Sequence, residues 1–268
     1  MADVRLPDFV IVGSPRCGTT TVFHHLRSHP QISMPAVKEI EFFDTHWERG
    51  VPWYASHFAP EADGVVAGEA SPLYLSNPEA MGRLHGVLPN AQLLAVFRNP
   101  IDACHSLFHY RRARNMDSGS FDDALERELA GNGAGFPYID TYSYGLQLDH
   151  LEKEHGRKVR VFWYDELVED PEKFFDGIST ALGVGSLGLD GPARVVNSAD
   201  RFRSVHLRLL TKRAPAPIRR IIGRVNRVAD VYPPVSSTAR TLVLGKLEDS
   251  MASLERRTGR DLSHWRME

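Results

Sequence analysis

Four short apolar runs constrain this chain more than any other feature: Phe9–Val12, Gly64–Ala67, Leu93–Phe97 and Val159–Trp163. None alternates polar with apolar residues, so each needs cover on both faces, as strands inside a parallel sheet do. Segments with helical periodicity lie between or after them, and three announce their starts. Asn77-Pro78, Asn99-Pro100 and Asp170-Pro171 each set a side-chain acceptor at the N-cap before a proline at the first helical position. Beyond Pro171, residues Phe174, Phe175, Ile178 and Leu182 share one face, and Gly183 can end the helix. Beyond Pro78, Met81, Leu84 and Leu88 do the same, up to Pro89-Asn90. Strands alternating with helices predict an α/β fold, a parallel β-sheet flanked by helices, with residues 1–268 as a single domain. Residues 115–140, with Gly131, Gly133 and Gly135, read as a loop around one short helix.

Composition narrows the classes of function. An apolar fraction of 42% and a charged fraction of 25% can build a core without metals or disulfides. A net charge of -2 gives no sign of a nucleic-acid partner. The cations are nevertheless uneven, because the stretch from Arg201 to Arg227 carries arginines and Lys212 but no Asp or Glu. That stretch suits an anionic ligand or surface, and equally a solvated helix face. Cys17 and Cys104 are too few for a disulfide framework and lack metal-site spacing, which fits a reducing compartment. The N-terminal residues carry Asp3 and Arg5 ahead of a short apolar run, unlike a signal peptide. No apolar run is long enough to span a membrane. A cytoplasmic location is therefore expected. His105 and His109 have i,i+4 spacing, but no third ligand or His-Glu-x-x-His pattern joins them, so packing is the expected role and no metal is assigned.

In parallel sheets ligands bind beyond the carboxyl ends of the strands, so the strand-to-helix junctions carry the functional reading. The first junction runs Gly13-Ser14-Pro15-Arg16-Cys17-Gly18-Thr19-Thr20-Thr21, with Val22, Phe23 and Leu26 then at helical spacing. A glycine-bounded loop entering a helix offers backbone N–H groups and a positive dipole end to an anion. It is close to a triphosphate loop, whose glycine is followed by lysine and Ser or Thr, but Thr19 stands at the lysine position. The cation sits earlier, at Arg16, which points to a shorter phosphate ester.

The Pro15-Arg16-Cys17-Gly18-Thr19-Thr20 string resembles the 5′-phosphosulfate loop of PAPS-dependent sulfotransferases, Arg16 standing where many members have lysine. PAPS is 3′-phosphoadenosine-5′-phosphosulfate. The likeness extends along the chain. Arg98, after Leu93–Phe97, and Ser106 resemble the family's arginine and serine for the 3′-phosphate. Lys38-Glu39-Ile40-Glu41-Phe42-Phe43 resembles the Lys-Glu-x-x-Phe-Phe segment of the heparan sulfate-type and bacterial enzymes, in which the first glutamate, here Glu39, is the proposed base. Those relatives often have histidine where this chain has Glu41. Glu69-Ala70-Ser71-Pro72-Leu73-Tyr74 resembles Glu-Lys-Ser/Thr-Pro-x-Tyr, without the lysine. Tyr144 heads a helix similar to one near the adenine ring, and Arg203 matches a residue that closes over the nucleotide.

The resemblance implies a phosphate-loop, nucleotide-kinase-like sulfotransferase fold. It implies PAPS as donor and 3′-phosphoadenosine 5′-phosphate (PAP) as product. Ser14, Pro15, Arg16, Cys17, Gly18, Thr19 and Thr20 would hold the phosphosulfate, Arg98 and Ser106 the 3′-phosphate, and Tyr144 and Arg203 the nucleoside, with Arg16 and Glu39 catalytic and no metal required. The acceptor would be a small-molecule or glycan hydroxyl or amine, with a small or glycosylated metabolite favoured in the cytoplasm. Two competitors stay open: a phosphate-loop kinase or nucleotide hydrolase, and a catalytically silent nucleotide-binding module.

Overall fold

The computed structural model describes residues 5–59, 63–133, 137–186, 201–202, 227–228 and 232–267. Five strands form one sheet: β1 (Phe9–Gly13), β2 (Ile32–Ser33), β3 (Val66–Ala70), β4 (Gln92–Phe97) and β5 (Val159–Trp163). Their spatial order is β2-β3-β1-β4-β5 and every pairing is parallel. β1 therefore lies at the centre, between β3 and β4, and all five of its residues are buried. The registers set Ile11 beside Ala70 on one side and Leu94 on the other. The carboxyl ends of β3, β1 and β4 thus open side by side.

Helices connect and cover the strands: α1 (Thr19–Arg27), α2 (Gly50–Ala55), α3 (Pro78–Val87), α4 (Pro100–Arg112), α5 (Phe121–Leu129), α6 (Tyr138–Thr141), α7 (Tyr144–His155), α8 (Tyr164–Glu169), α9 (Pro171–Leu182), α10 (Ser237–Thr258) and α11 (His264–Met267). The three Asx-Pro starts behave as expected. The Asn77 side chain accepts from Glu79 N at 3.1 Å and Ala80 N at 3.2 Å. Asn99 accepts from Ile101 N at 3.0 Å, and Asp170 from Lys173 N at 3.1 Å. Gly183 closes α9 at φ 70°. Residues 115–140 hold α5, begun by a Ser120/Asp123 capping box, and the short α6 in addition.

The third strand is displaced from the run that predicts it. Gly64 lies at φ 72°, a turn conformation, and the strand begins at Val66 and continues through Gly68 and Glu69 to Ala70. Hydrophobicity stops short there because a glycine and a carboxylate sit in a buried strand. Gly68 is required by proximity, since a Cβ would lie 2.0 Å from the Phe9 ring.

The long α10 packs along α7, and the crossing is tightest at Gly145. Its N–H donates to Ser250 Oγ at 3.0 Å, and a Cβ there would come 2.0 Å from the Ser250 carbonyl oxygen. Backbone cannot yield as a flexible side chain can. Gly145→Ala should cost about 1–3 kcal/mol of stability, read as a fall in Tm of roughly 2–4 °C per kcal/mol. An unchanged melting curve would show that the two helices can separate without loss.

A two-residue antiparallel pair joins Arg201–Phe202 to Arg227–Val228. The rest of the basic 201–227 stretch, Arg203 included, lies outside the described residues.

Candidate active site

The loop after β1 is built from beneath. Ser14 N donates to the Val96 carbonyl at 3.1 Å, fixing the loop to β4. Cys17 is fully buried, with its thiol donating to the Pro15 carbonyl at 3.4 Å and lying 3.5 Å from Tyr144 Oη. Burial pushes that thiol up to about 11, so it remains protonated and serves as an anchor. Tyr142 Oη donates to the same Pro15 carbonyl at 3.2 Å. Thr19 is buried and Thr20 half-buried in the first turn of α1. Gly18 is the N-cap at φ 87°, with no side-chain cap, and the first turn of α1 carries no acidic residue. The helix therefore presents its first-turn amides and positive dipole end towards an anion. A Cβ on Gly18 would meet Leu167 Cδ2 at 2.8 Å, so the loop also needs glycine for close packing against α8.

Arg16 adopts φ 63°. Its Nε donates to Ser106 Oγ at 3.1 Å, and its guanidinium lies 5.0 Å from the Tyr110 ring centroid. Ser106 and Tyr110 both belong to α4, so the first junction is joined directly to the second. Arg98, between β4 and the Asn99 cap, donates to Asp102 Oδ2 at 3.1 Å and lies over the Tyr164 ring at 4.7 Å. An aromatic face and a carboxylate hold that cation at the carboxyl end of β4. Arg16, Arg98 and Ser106, far apart in sequence, form one cationic corner over β1 and β4.

Tyr144 is 2% exposed and stacks on Phe97, with centroids 4.1 Å apart and planes at 13°. It sits under the loop, between Cys17 and the end of β4. Its contact with the phosphate-loop region is therefore from below.

The Lys38–Phe43 segment crosses the end of β3. Glu39 and Glu41 both take positive φ, 63° and 53°, which costs a non-glycine residue on the order of 1 kcal/mol or more each. Hydrogen bonds hold the segment there. Glu39 N donates to the Ala70 carbonyl at 3.1 Å, Glu41 N to Ser71 Oγ at 3.2 Å, and Phe42 N to Tyr74 Oη at 2.8 Å. The Glu39 carboxylate is partly exposed and ion-paired with Lys38. Burial and the neighbouring Asp44 and Glu39 carboxylates raise the Glu41 pKa.

One residue of the site was not given a role by sequence. Glu69 is completely buried, accepting from Tyr54 Oη at 2.7 Å and from Ser71 Oγ at 3.0 Å. Burial pushes its carboxyl up to about 7. The signal was an acid inside an otherwise apolar and small-residue strand.

Among the described residues, no group of three or more His, Cys, Asp or Glu side chains could hold a metal ion. His105 and His109 are buried with their Nε2 atoms 2.9 Å apart, and His109 stacks on Tyr232 at 3.9 Å.

A glycine-bounded loop leading from the central strand into a helix, with an arginine and a serine supplied by the next junction, is an arrangement that α/β proteins use to bind phosphate. The family model described as the sulfotransferase domain matches residues 6–187, and the chain belongs to that enzyme family. Human heparan sulfate glucosamine 3-O-sulfotransferase 6 is 37% identical over 182 residues, 67% of this chain and 53% of the relative. The membrane-associated sulfotransferase kil1 of Dictyostelium discoideum is 36% identical over 108 residues, 39% of this chain and 23% of that protein. The bifunctional heparan sulfate N-deacetylase/N-sulfotransferase 1 of Caenorhabditis briggsae is 30% identical over 196 residues, covering 66% of this chain and 22% of the relative. This chain thus spans from under a quarter to about half the length of these relatives. Among solved structures, a sulfotransferase from Alicyclobacillus acidocaldarius superposes with a TM-score of 0.73 at 24% identity, covering 98% of this chain and 100% of that one. The mouse sulfotransferase SULT7A1, in complex with PAP, gives 0.53 at 18% identity over 96% and 91% of the two chains. The shared architecture is the sulfotransferase fold. No helix among the described residues is long and apolar enough to cross a membrane.

Proposed function

We propose that this protein transfers a sulfuryl group from PAPS to a hydroxyl or amine of an acceptor, by in-line displacement with Glu39 as general base. The observation that carries the reading is the Arg16 Nε to Ser106 Oγ contact, which joins the two phosphate motifs in one corner. The bond from sulfur to the acceptor forms as the bond from sulfur to the bridging phosphate oxygen breaks. That electron pair is left on the phosphate of PAP. Arg16 and the amides from Ser14 to Thr20 meet the growing charge with fixed donors, which need no reorganisation during the reaction. The acceptor proton passes to Glu39. Arg98 and Ser106 hold the 3′-phosphate, Tyr144 braces the loop beneath the nucleotide, and Arg203 closes over it.

The relatives' names support the chemistry from both sides, one transferring to a glucosamine 3-hydroxyl position and another to nitrogen. The PAP bound to the mouse enzyme supports the donor. The acceptor proposed here is a small or glycosylated metabolite, met in the cytoplasm. Two buried, unpaired thiols fit that compartment. Residues 1–268 would serve as one domain, α10 and α11 closing its back through Ser250 and Trp265.

Calorimetric titration with PAP, and transfer from labelled PAPS to a panel of hydroxyl and amine acceptors, test the reading. Binding of PAP without transfer to any acceptor would favour a silent module, and magnesium-dependent ATP turnover a kinase. The 3′-phosphate grip has its own test in the preference for PAP over adenosine 5′-phosphate. Arg98→Ala should lower that preference by roughly ten- to a hundredfold, the worth of a charge-assisted hydrogen bond. An unchanged preference would remove Arg98 from the role.

A further inference from the structure

Glu69 lies at the carboxyl end of β3 with no exposure, yet its two oxygens reach opposite parts of the site. One accepts from Tyr54 of α2. The other accepts from Ser71, and Ser71 in turn accepts from the Glu41 amide. The circuit closes, because the Tyr54 ring stacks on Phe42 with centroids 4.6 Å apart and planes at 12°. Phe42 N also donates to Tyr74 Oη. A buried carboxylate is costly in itself, and the hydroxyls of Tyr54 and Ser71, with Tyr74 beside them, offset that cost. The segment that benefits is the one with two non-glycine residues at positive φ, which the chain would leave without external ties.

We infer that Glu69 is a positioning residue, which acts through Ser71 and Tyr54 to hold the Glu39–Phe43 segment in the conformation that places Glu39. The inference rests on the proposed role of Glu39 for its catalytic meaning, while its structural content can be read without any turnover. Glutamine at 69 keeps the shape but turns an amide N–H₂ towards Ser71. In that orientation the Ser71 hydroxyl loses the carboxylate that accepts from it, and in the flipped one Tyr54 does, so one of the two ties to the segment weakens.

The experiment is hydrogen exchange on the full chain, wild type against Glu69→Gln, Ser71→Ala and Ser71→Thr, with PAP affinity measured on each. Glu69→Gln and Ser71→Ala should speed exchange of the Glu41 and Phe42 amides by about tenfold or more, as local opening does when one tie is lost. Exchange in α1 and PAP affinity should stay within about twofold, and Ser71→Thr, which keeps the hydroxyl, should restore protection. In transfer assays the same two variants should lose about ten- to a hundredfold in kcat with KM for PAPS unchanged, the signature of a misplaced group. Unchanged protection at Glu41 and Phe42 in folded Glu69→Gln overturns the inference. So does acceleration spread evenly over the chain, which Ser71→Ala would report even if Glu69→Gln failed to fold. Absence of transfer by the wild type would sink the sulfuryl reading, and the exchange data would still decide the role of Glu69.

Discussion

Arg16→Ala should lower sulfuryl transfer by about a hundred- to a thousandfold, the loss seen when one preorganised donor to a developing anion is removed. Three features make Arg16 the sensitive point. It lies inside the loop, where its charge can face the departing phosphate. Its Nε is already fixed by Ser106 at 3.1 Å, and its guanidinium is steadied by the Tyr110 ring, so little entropy remains to be lost in the reaction. The first turn of α1 would still offer its amides, so PAP should continue to bind, with weaker affinity. Lysine at 16 keeps the charge but not the planar donor that reaches Ser106, and should fall between arginine and alanine. Initial rates with labelled PAPS measure the series. An alanine variant within tenfold of wild type would move the charge-stabilising role away from Arg16.

Glu39→Gln is expected to separate chemistry from binding. Glutamine preserves the side-chain length and leaves the Glu39 N to Ala70 carbonyl bond at 3.1 Å untouched, while it removes the proposed base and its ion pair with Lys38. Loss of a positioned general base costs typically about a hundred- to ten-thousandfold. PAP affinity should remain at the wild-type value, because the proposed nucleotide contacts come from the junctions after β1 and β4. Single-turnover transfer beside calorimetric binding measures both quantities on one preparation. Wild-type turnover in this variant would remove Glu39 from the mechanism. Glu41→Gln belongs in the same series, since burial and the neighbouring carboxylates bias the Glu41 carboxyl towards holding a proton.

The parts of this fold that sequence made legible are those governed by local rules. Unbroken apolar runs marked β1 and β4, and a run interrupted by the exposed Arg160 marked the edge strand β5. The Asx-Pro caps marked the starts of α3, α4 and α9, because a cap and a proline act over three or four residues. β3 was misplaced for the opposite reason. Its end is occupied by Glu69, and a carboxylate is tolerated there through hydroxyls from outside the strand, Tyr54 of α2 among them. The site divides in the same way. The glycine-bounded loop from β1 into α1 was readable because its residues are consecutive. The contact of Arg16 with Ser106 spans ninety positions and appears only when β1 and β4 lie side by side. Tyr144 heads a helix as expected, but its place beneath Cys17 and against Phe97 follows from packing that no local pattern encodes.

The paired left-handed residues in the Lys38–Phe43 segment have an evolutionary consequence. At φ 63° and 53°, glycine or asparagine would suit Glu39 and Glu41 better than glutamate does. A chain selected for durability alone would drift towards those residues and become easier to fold. With Glu39 as the proposed base, a carboxylate there sets activity against robustness, the usual tension at a working site. Laboratory selection for heat resistance without an assay for transfer should therefore erode this segment early, while the central strands and their caps persist.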